Sequence, residues 1–277
     1  MSSIDFKQTP TESLISGSLA GGVTPWVYQP LLNAKIEQQT NLKIDPQTKK
    51  GGSLIDAFKK LSLENRVYKG VGINSGVNCV LFGLQNSVKD KILQEIGGEN
   101  PTDGEKILSS VGGGGFVSPI NNINETVISR MGELSEEAIK QNKPKPTYIQ
   151  VISDIYIRKG PRGFMKGIKL LMAREGFCFV PAFGYLAPKI SGLVEPYIRN
   201  KWISTLIGGS LAGGLACYVS TPFDTNSTRL KRDQKVTWIP RECMKEATLR
   251  FLMGAIVVPL FLLLNESLKE VQKRSHK

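Results

Sequence analysis

Arg174 and Glu175 stand side by side within 167–190, a stretch otherwise made mostly of apolar and small residues. A base and an acid together in such a background are rare, and inside a membrane they mark the path of a polar solute. The guanidinium can hold a carboxylate or phosphate through two parallel hydrogen bonds, and the carboxylate can take an amino group. Little else invites covalent chemistry. The single histidine, His276, lies next to the last residue, which leaves no Ser–His, Cys–His or His–metal arrangement. Cys79, Cys178, Cys217 and Cys243 are far apart and show no C-x-x-C spacing, so no zinc site, disulfide framework or cofactor is expected. The net charge of +12 suits an acidic partner: nucleic acid, anionic lipid or an anionic solute. The first thirteen residues carry Asp5 and Glu12, lack arginine and have no apolar core, so they do not read as a signal or transit peptide.

The elements that must position this pair are repeated. Gly17-Ser18-Leu19-Ala20-Gly21-Gly22 recurs letter for letter as Gly209-Ser210-Leu211-Ala212-Gly213-Gly214, and Pro30 and Pro222 follow at the same distance. Midway between the copies lies Gly112-Gly113-Gly114-Gly115. The chain therefore reads as three units, 1–100, 101–200 and 201–277, which together make one transmembrane domain. Six stretches have the length of a membrane span, about 20 residues. They are 13–38, 70–92, 105–131, 167–190, 202–230 and 246–268. Gly17 with Gly21, and Gly209 with Gly213, are G-x-x-x-G pairs that let helix backbones approach closely in lipid. A phosphate-binding loop fits poorly, because Gly112–Gly115 is not followed by Gly-Lys-Ser/Thr and no strand precedes it. Charge alternates between the connectors: 37–69, 130–167 and 229–250 carry net +3, +4 and +4, against −2 and +2 for 89–106 and 187–202. Positive connectors stay on the interior face of the compartment, which places both termini on the other side. A soluble basic protein would not alternate in this way, so nucleic acid is not expected as the partner.

With these features the chain resembles the mitochondrial carrier family over nearly its full length. The resemblance implies an all-α membrane protein with six transmembrane helices in three pseudo-symmetric repeats, each with a short matrix-side helix. The family's P-x-[DE]-x-x-[KR] motif is kept in part. Pro30 to Lys35 retains proline and base but has Leu32 at the acid position, and Pro222 to Ser227 retains proline and Asp224 but has Ser227 at the base position. In the middle unit Ile123 falls at the proline position, Glu125 at the acid and Ile128 at the base. The later glycine motif appears as Tyr68-Lys69-Gly70 and Met165-Lys166-Gly167, and weakly near Glu246, so a shortened third matrix helix is expected.

The resemblance also implies roles. Acid and base positions of successive repeats would meet in a matrix-side gate: Asp224 with Lys35, Leu32 with Ile128, and Glu125 with Ser227. An apolar pair in place of an ion pair avoids stranding a buried charge. On the opposite side only Glu266 and Lys269 keep both acid and base, so that gate reads as weak. Substrate positions counted from the later glycines are Asn78, Arg174 with Glu175, and Arg250 near Met253. The implied protein is a monomeric carrier of the mitochondrial inner membrane with termini in the intermembrane space. It would move a small anionic or zwitterionic metabolite, amino-acid-like or a nucleotide, and contact membrane lipid, including cardiolipin on the matrix side. The lost acid at Leu32 and the degraded third unit leave a second reading, a carrier-fold scaffold or interaction protein without transport.

Overall fold

The computed structural model describes residues 9–44, 54–63, 67–68, 70–97, 100–141, 144, 146–179, 182–239, 244 and 247–275. The chain runs through α1 (Pro10–Ile44), α2 (Leu54–Leu63), α3 (Val71–Ile96), α4 (Asp103–Lys140), α5 (Tyr148–Lys159), the single turn α6 (Pro161–Phe164) and α7 (Ile168–Ala173). Two π-helical segments, Arg174–Phe179 and Ala182–Leu186, lead into α8 (Ala187–Ile198), followed by α9 (Lys201–Lys231) and α10 (Ala247–Ser275). There is no strand among the described residues. The six expected stretches thus coincide with six long helical runs, and the fourth is broken rather than regular.

The starts of α1, α4 and α9 are set by side-chain caps. Glu12 accepts hydrogen bonds from the Thr9 backbone N–H and hydroxyl, and Glu105 does the same for Thr102. At α9 the Asn200 side chain accepts from the Ile203 N–H at 3.2 Å. Each cap satisfies donors that the first turn leaves without partners. Measured from these caps, Pro30 and Ile123 lie equally far along their helices. The residues four beyond Pro30, Ile123 and Pro222, which are Ala34, Val127 and Asn226, are all sealed from solvent at 0% exposure. The middle unit does have a helix proline: Pro119 lies inside α4, one turn before Ile123. Proline inside a helix removes a hydrogen bond and bends the axis. Pro25, Pro30, Pro222 and Pro259 do the same in α1, α9 and α10.

The repeated glycines are where helices nearly touch. A Cβ on Gly17 would come 2.7 Å from the Phe82 carbonyl oxygen on α3, and one on Gly209 would come 2.7 Å from the Cα of Pro259 on α10. Both copies of the hexapeptide therefore join an odd helix to the even helix of its own repeat, where any side chain would force the backbones apart. The other faces of these helices are apolar and exposed. Ile15, Leu19, Val23 and Trp26 form such a stripe on α1, and Leu211, Leu215, Tyr218 and Val219 form one on α9. Stripes of this size on helices of this length suit contact with lipid. Among the described residues three helical stretches, Pro161–Ile198, Lys201–Lys231 and Ala247–Gln272, are long and apolar enough to cross a membrane by length and composition.

The short helices define one side of the bundle. Ala34 of α1 packs with Leu61 of α2, and Val127 of α4 packs with Val151 and Ile155 of α5. Between α9 and α10 the described residues 232–239 form a turn and irregular chain; the rest of the third connector, where the shortened helix was expected, lies mostly outside the described residues. The main core sits towards the opposite side, around Ala20, Phe183, Ala187, Ala212, Val258 and Phe261.

Candidate functional site

A cavity of about 360 Å³ lies between the long helices and extends towards the short-helix side. Its volume is near the lower end of the ~300–1,000 Å³ usual for small-molecule sites. The three acid-position residues, Leu32, Glu125 and Asp224, all line it, as do Asn78, Arg174, Glu175, Arg250 and Ile128. These residues come from α1, α3, α4, α9, α10 and the first π-helical segment, so every long run contributes a wall. The π-helical turn begins at Arg174 itself. Wider turns of this kind re-aim side chains and are frequent at functional sites; Pro181 lies between the two π segments in sequence.

Arg174 is the hub. Its Nη2 is 2.6 Å from Glu125 Oε1 and also meets Glu175, while its Nη1 meets Asp224. Glu125 turns its other oxygen to Lys231, 2.7 Å away, whose side chain is 1% exposed. Asp224 gives its second oxygen to Arg250. Glu175 also accepts a hydrogen bond from Asn121 at 2.9 Å. Among the described residues, three carboxylates and three cations thus form one connected cluster in the cavity wall. Buried charges survive only when paired and hydrogen-bonded in this manner. The Nε of Arg174 is buried and has no hydrogen-bond partner among the described residues.

The α1–α3 wall is different in kind. Asn78 donates to the Tyr28 hydroxyl at 2.7 Å, and Asn74 donates to Gln29 at 2.8 Å. Gln29 in turn donates to Asn33, which donates to the Val67 carbonyl. Among the described residues this wall carries neutral hydrogen-bonding groups and the apolar Leu32, while the charged groups lie on α4, α9, α10 and the first π segment.

Several expected pairings change. Glu125 does not meet Ser227. Ser227 is fully buried, and its hydroxyl lies 3.5 Å from the Gly167 carbonyl. A Cβ on Gly167, whose φ is +79°, would come 2.9 Å from that hydroxyl. The longer Lys231, one turn further along α9, reaches Glu125 instead. Asp224 is engaged by Arg174 and Arg250; the Lys35 side chain lies outside the described residues. Leu32 and Ile128 both face the cavity. Glu266 pairs with Lys201 at 3.6 Å.

On the side away from the short helices, three polar ties each join two helices of the same repeat. Ser13 donates to Asp90, Lys189 pairs with Asp103 at 3.0 Å, and Lys201 pairs with Glu266. The Tyr185 hydroxyl and the Lys189 ammonium hold the Asp103 carboxyl below the usual carboxylate range. An aromatic contact also joins the three repeats. Phe82 of α3, Phe183 of the second π segment and Phe261 of α10 meet with ring centroids 4.7 to 5.8 Å apart. One ring comes from each repeat; the three meet in the main core, and Phe82 also lines the cavity. Lys231, Asn121 and this aromatic trio were not singled out from sequence. A lysine one turn beyond a motif position is a signal that could have found the first.

No family model matches the chain. It is 26% identical over 237 residues to mitochondrial citrate transporter A of Aspergillus niger, a match that covers 80% of this chain and 73% of that protein. A Neurospora crassa protein named as a mitochondrial 2-oxoglutarate/malate carrier is 23% identical, covering 83% of this chain and 73% of its own length. An uncharacterized mitochondrial carrier of Schizosaccharomyces pombe is 23% identical, covering 81% and 75%. Similarity to three mitochondrial carriers across four-fifths of the chain supports a divergent member of that carrier family.

Proposed function

We propose that the protein is an alternating-access carrier of a small carboxylate-bearing metabolite across the mitochondrial inner membrane, with both termini on the intermembrane-space side. Mitochondrial solute transport is the function the relatives' names support; the substrate class rests on the cavity. The observation that carries the reading is the position of Arg174 and Arg250, two guanidinium groups in the wall of a metabolite-sized cavity bounded by all six helical runs. Guanidinium groups grip carboxylates in two-point fashion, and Arg174 has the fork geometry to do so. The α1–α3 wall, with Tyr28, Asn74 and Asn78, suits the remainder of such a molecule through neutral hydrogen bonds.

In this account the form described here is closed by Phe82, Phe183 and Phe261 and accessible from the short-helix side. Substrate reaching Arg174 and Arg250 loosens Asp224 from both. Asp224 is then available to Lys35 as the short-helix side closes and the aromatic trio parts. Relatives named for citrate and for 2-oxoglutarate/malate favour carboxylates over nucleotides within this reading.

A thermal-unfolding panel on the protein in lipid nanodiscs tests the substrate class. A di- or tricarboxylate such as malate, 2-oxoglutarate or citrate should raise the unfolding midpoint in a saturable way, since a ligand at 100 times its Kd adds about 2.7 kcal/mol. Stabilisation by nucleotides alone would overturn the carboxylate assignment.

A further inference from the structure

The Tyr28–Asn78 pair on the α1–α3 wall has hydrogen-bonding capacity left over. Asn78 Nδ2 donates to the Tyr28 hydroxyl at 2.7 Å, and among the described residues neither side chain makes another hydrogen bond. Tyr28 therefore keeps its own O–H proton to give, and Asp-like charge is not needed for Asn78 to keep a carbonyl oxygen that can accept. Turning the amide over exchanges the two roles and still leaves a donor and an acceptor side by side. Polar groups held away from bulk water are costly to leave unpaired, so the cavity, which both residues line, must supply their partner. A ligand that displaces water from such a pair loses affinity unless it replaces both bonds.

The kind of group that replaces both follows from its own donors and acceptors. A hydroxyl accepts and donates, so it satisfies the phenol and the amide together. An oxo group takes the phenol proton and gives nothing to the amide oxygen, and a methylene satisfies neither. A carboxylate only accepts, and would set an anion against the Asn78 oxygen. The pair also stands at the right height. The even helices of the first two repeats both leave from left-handed glycines, Gly70 at φ +82° and Gly167 at φ +79°. Asn78 and Glu175 each lie eight residues beyond, so the Tyr28–Asn78 pair and the Arg174–Glu175 pair occupy the same point of their repeats on two walls of one cavity.

We infer that the substrate is a hydroxycarboxylate, and that Tyr28 with Asn78 reads its hydroxyl while Arg174 holds its carboxylate. This rests on the proposed carrier function and narrows its substrate class. Tyr28 lies two residues before Pro30, outside the repeated motif, and enters the site through its contact with Asn78. A site that hydrogen-bonds a substrate hydroxyl disfavours the analogue lacking it, because the site's own groups are then left unpaired.

The test is uptake by the full chain in proteoliposomes, with two pairs of substrates that differ at one position. Malate and succinate differ by a hydroxyl; 2-hydroxyglutarate and 2-oxoglutarate differ by a hydroxyl against an oxo group. In each pair the hydroxyl form should have the lower KM, by about tenfold, the scale of one or two neutral hydrogen bonds. Tyr28→Phe removes one oxygen and keeps the ring. It should raise the KM for malate several-fold and leave that for succinate unchanged, with the thermal unfolding midpoint followed as a check on folding. Equal KM values within both pairs for the wild-type chain would overturn the inference and leave the carrier reading standing. A folded Tyr28→Phe protein that loses malate and succinate equally, or loses neither, would overturn the assignment to Tyr28. No saturable uptake of any of the four or of citrate, from vesicles shown to hold folded protein, would remove both readings.

Discussion

Arg174→Ala should reduce carboxylate uptake at least a hundredfold. The substitution removes the group that meets Glu125, Glu175 and Asp224 at once. Breaking one partner out of a buried pair costs ~3–5 kcal/mol, and each ~1.4 kcal/mol of lost binding is about tenfold in affinity. The same change strands carboxylates, so stability will fall as well, and the two effects must be separated. Adding Glu125→Gln removes one stranded charge and should recover part of the thermal unfolding midpoint, while uptake stays at background. Arg174→Lys keeps the charge but gives up the planar fork, so it should retain stability better than uptake. If uptake returned in step with stability in the Arg174→Ala, Glu125→Gln protein, Arg174 would be a structural residue and not a substrate contact.

Loss of the aromatic trio should open the other side. Phe261→Ala combined with Phe82→Ala should make preloaded vesicles leak substrate several-fold faster than the wild-type protein does. Phe82 and Phe261 stack at 4.7 Å, and Phe183 meets Phe261 edge-on at 5.6 Å. Aromatic pairs of this kind add ~0.5–1.5 kcal/mol beyond the area they bury. Each truncation also leaves a void worth ~3–5 kcal/mol in a packed core, so unfolding must be followed in parallel. Phe223→Ala is the matched control, because Phe223 packs edge-on against Trp238, away from the trio. A trio variant that folds and holds its contents as tightly as the control would mean that closure on this side lies elsewhere.

The repeats made the long helices legible from sequence, because a duplicated Gly-Ser-Leu-Ala-Gly-Gly with its proline fixes both spacing and packing face. The glycines do face the even helix of their own repeat, at Phe82 and at Pro259. Helix ends were less legible: the Thr9–Glu12 and Thr102–Glu105 caps start α1 and α4 a few residues earlier than apolar content suggests. In the middle repeat the helix proline, Pro119, sits one turn before the motif position, which Ile123 occupies.

The cavity residues were legible as positions and not as partners. Asn78, Arg174, Glu175 and Arg250 all line one cavity, yet nothing in their types or spacing shows that Arg174 gathers three acids. Which base an acid meets depends on reach across open space. Lys231 reaches Glu125 because its stem is long, whereas Ser227 at the motif position is too short and is buried against Gly167. The trio Phe82, Phe183 and Phe261 shows the same limit. Each ring is an ordinary apolar residue in its own helix, and only the threefold arrangement of the helices brings them together.

The most direct test of a carrier built around Arg174 is uptake by the purified protein in proteoliposomes, using labelled malate, 2-oxoglutarate and citrate, run beside the Arg174→Ala, Glu125→Gln protein. Saturable uptake of at least one of these by the wild-type chain, absent from the folded variant, is the predicted result. No saturable uptake of any of the three, from vesicles shown to hold folded protein, would contradict it and favour a carrier-fold protein that no longer transports.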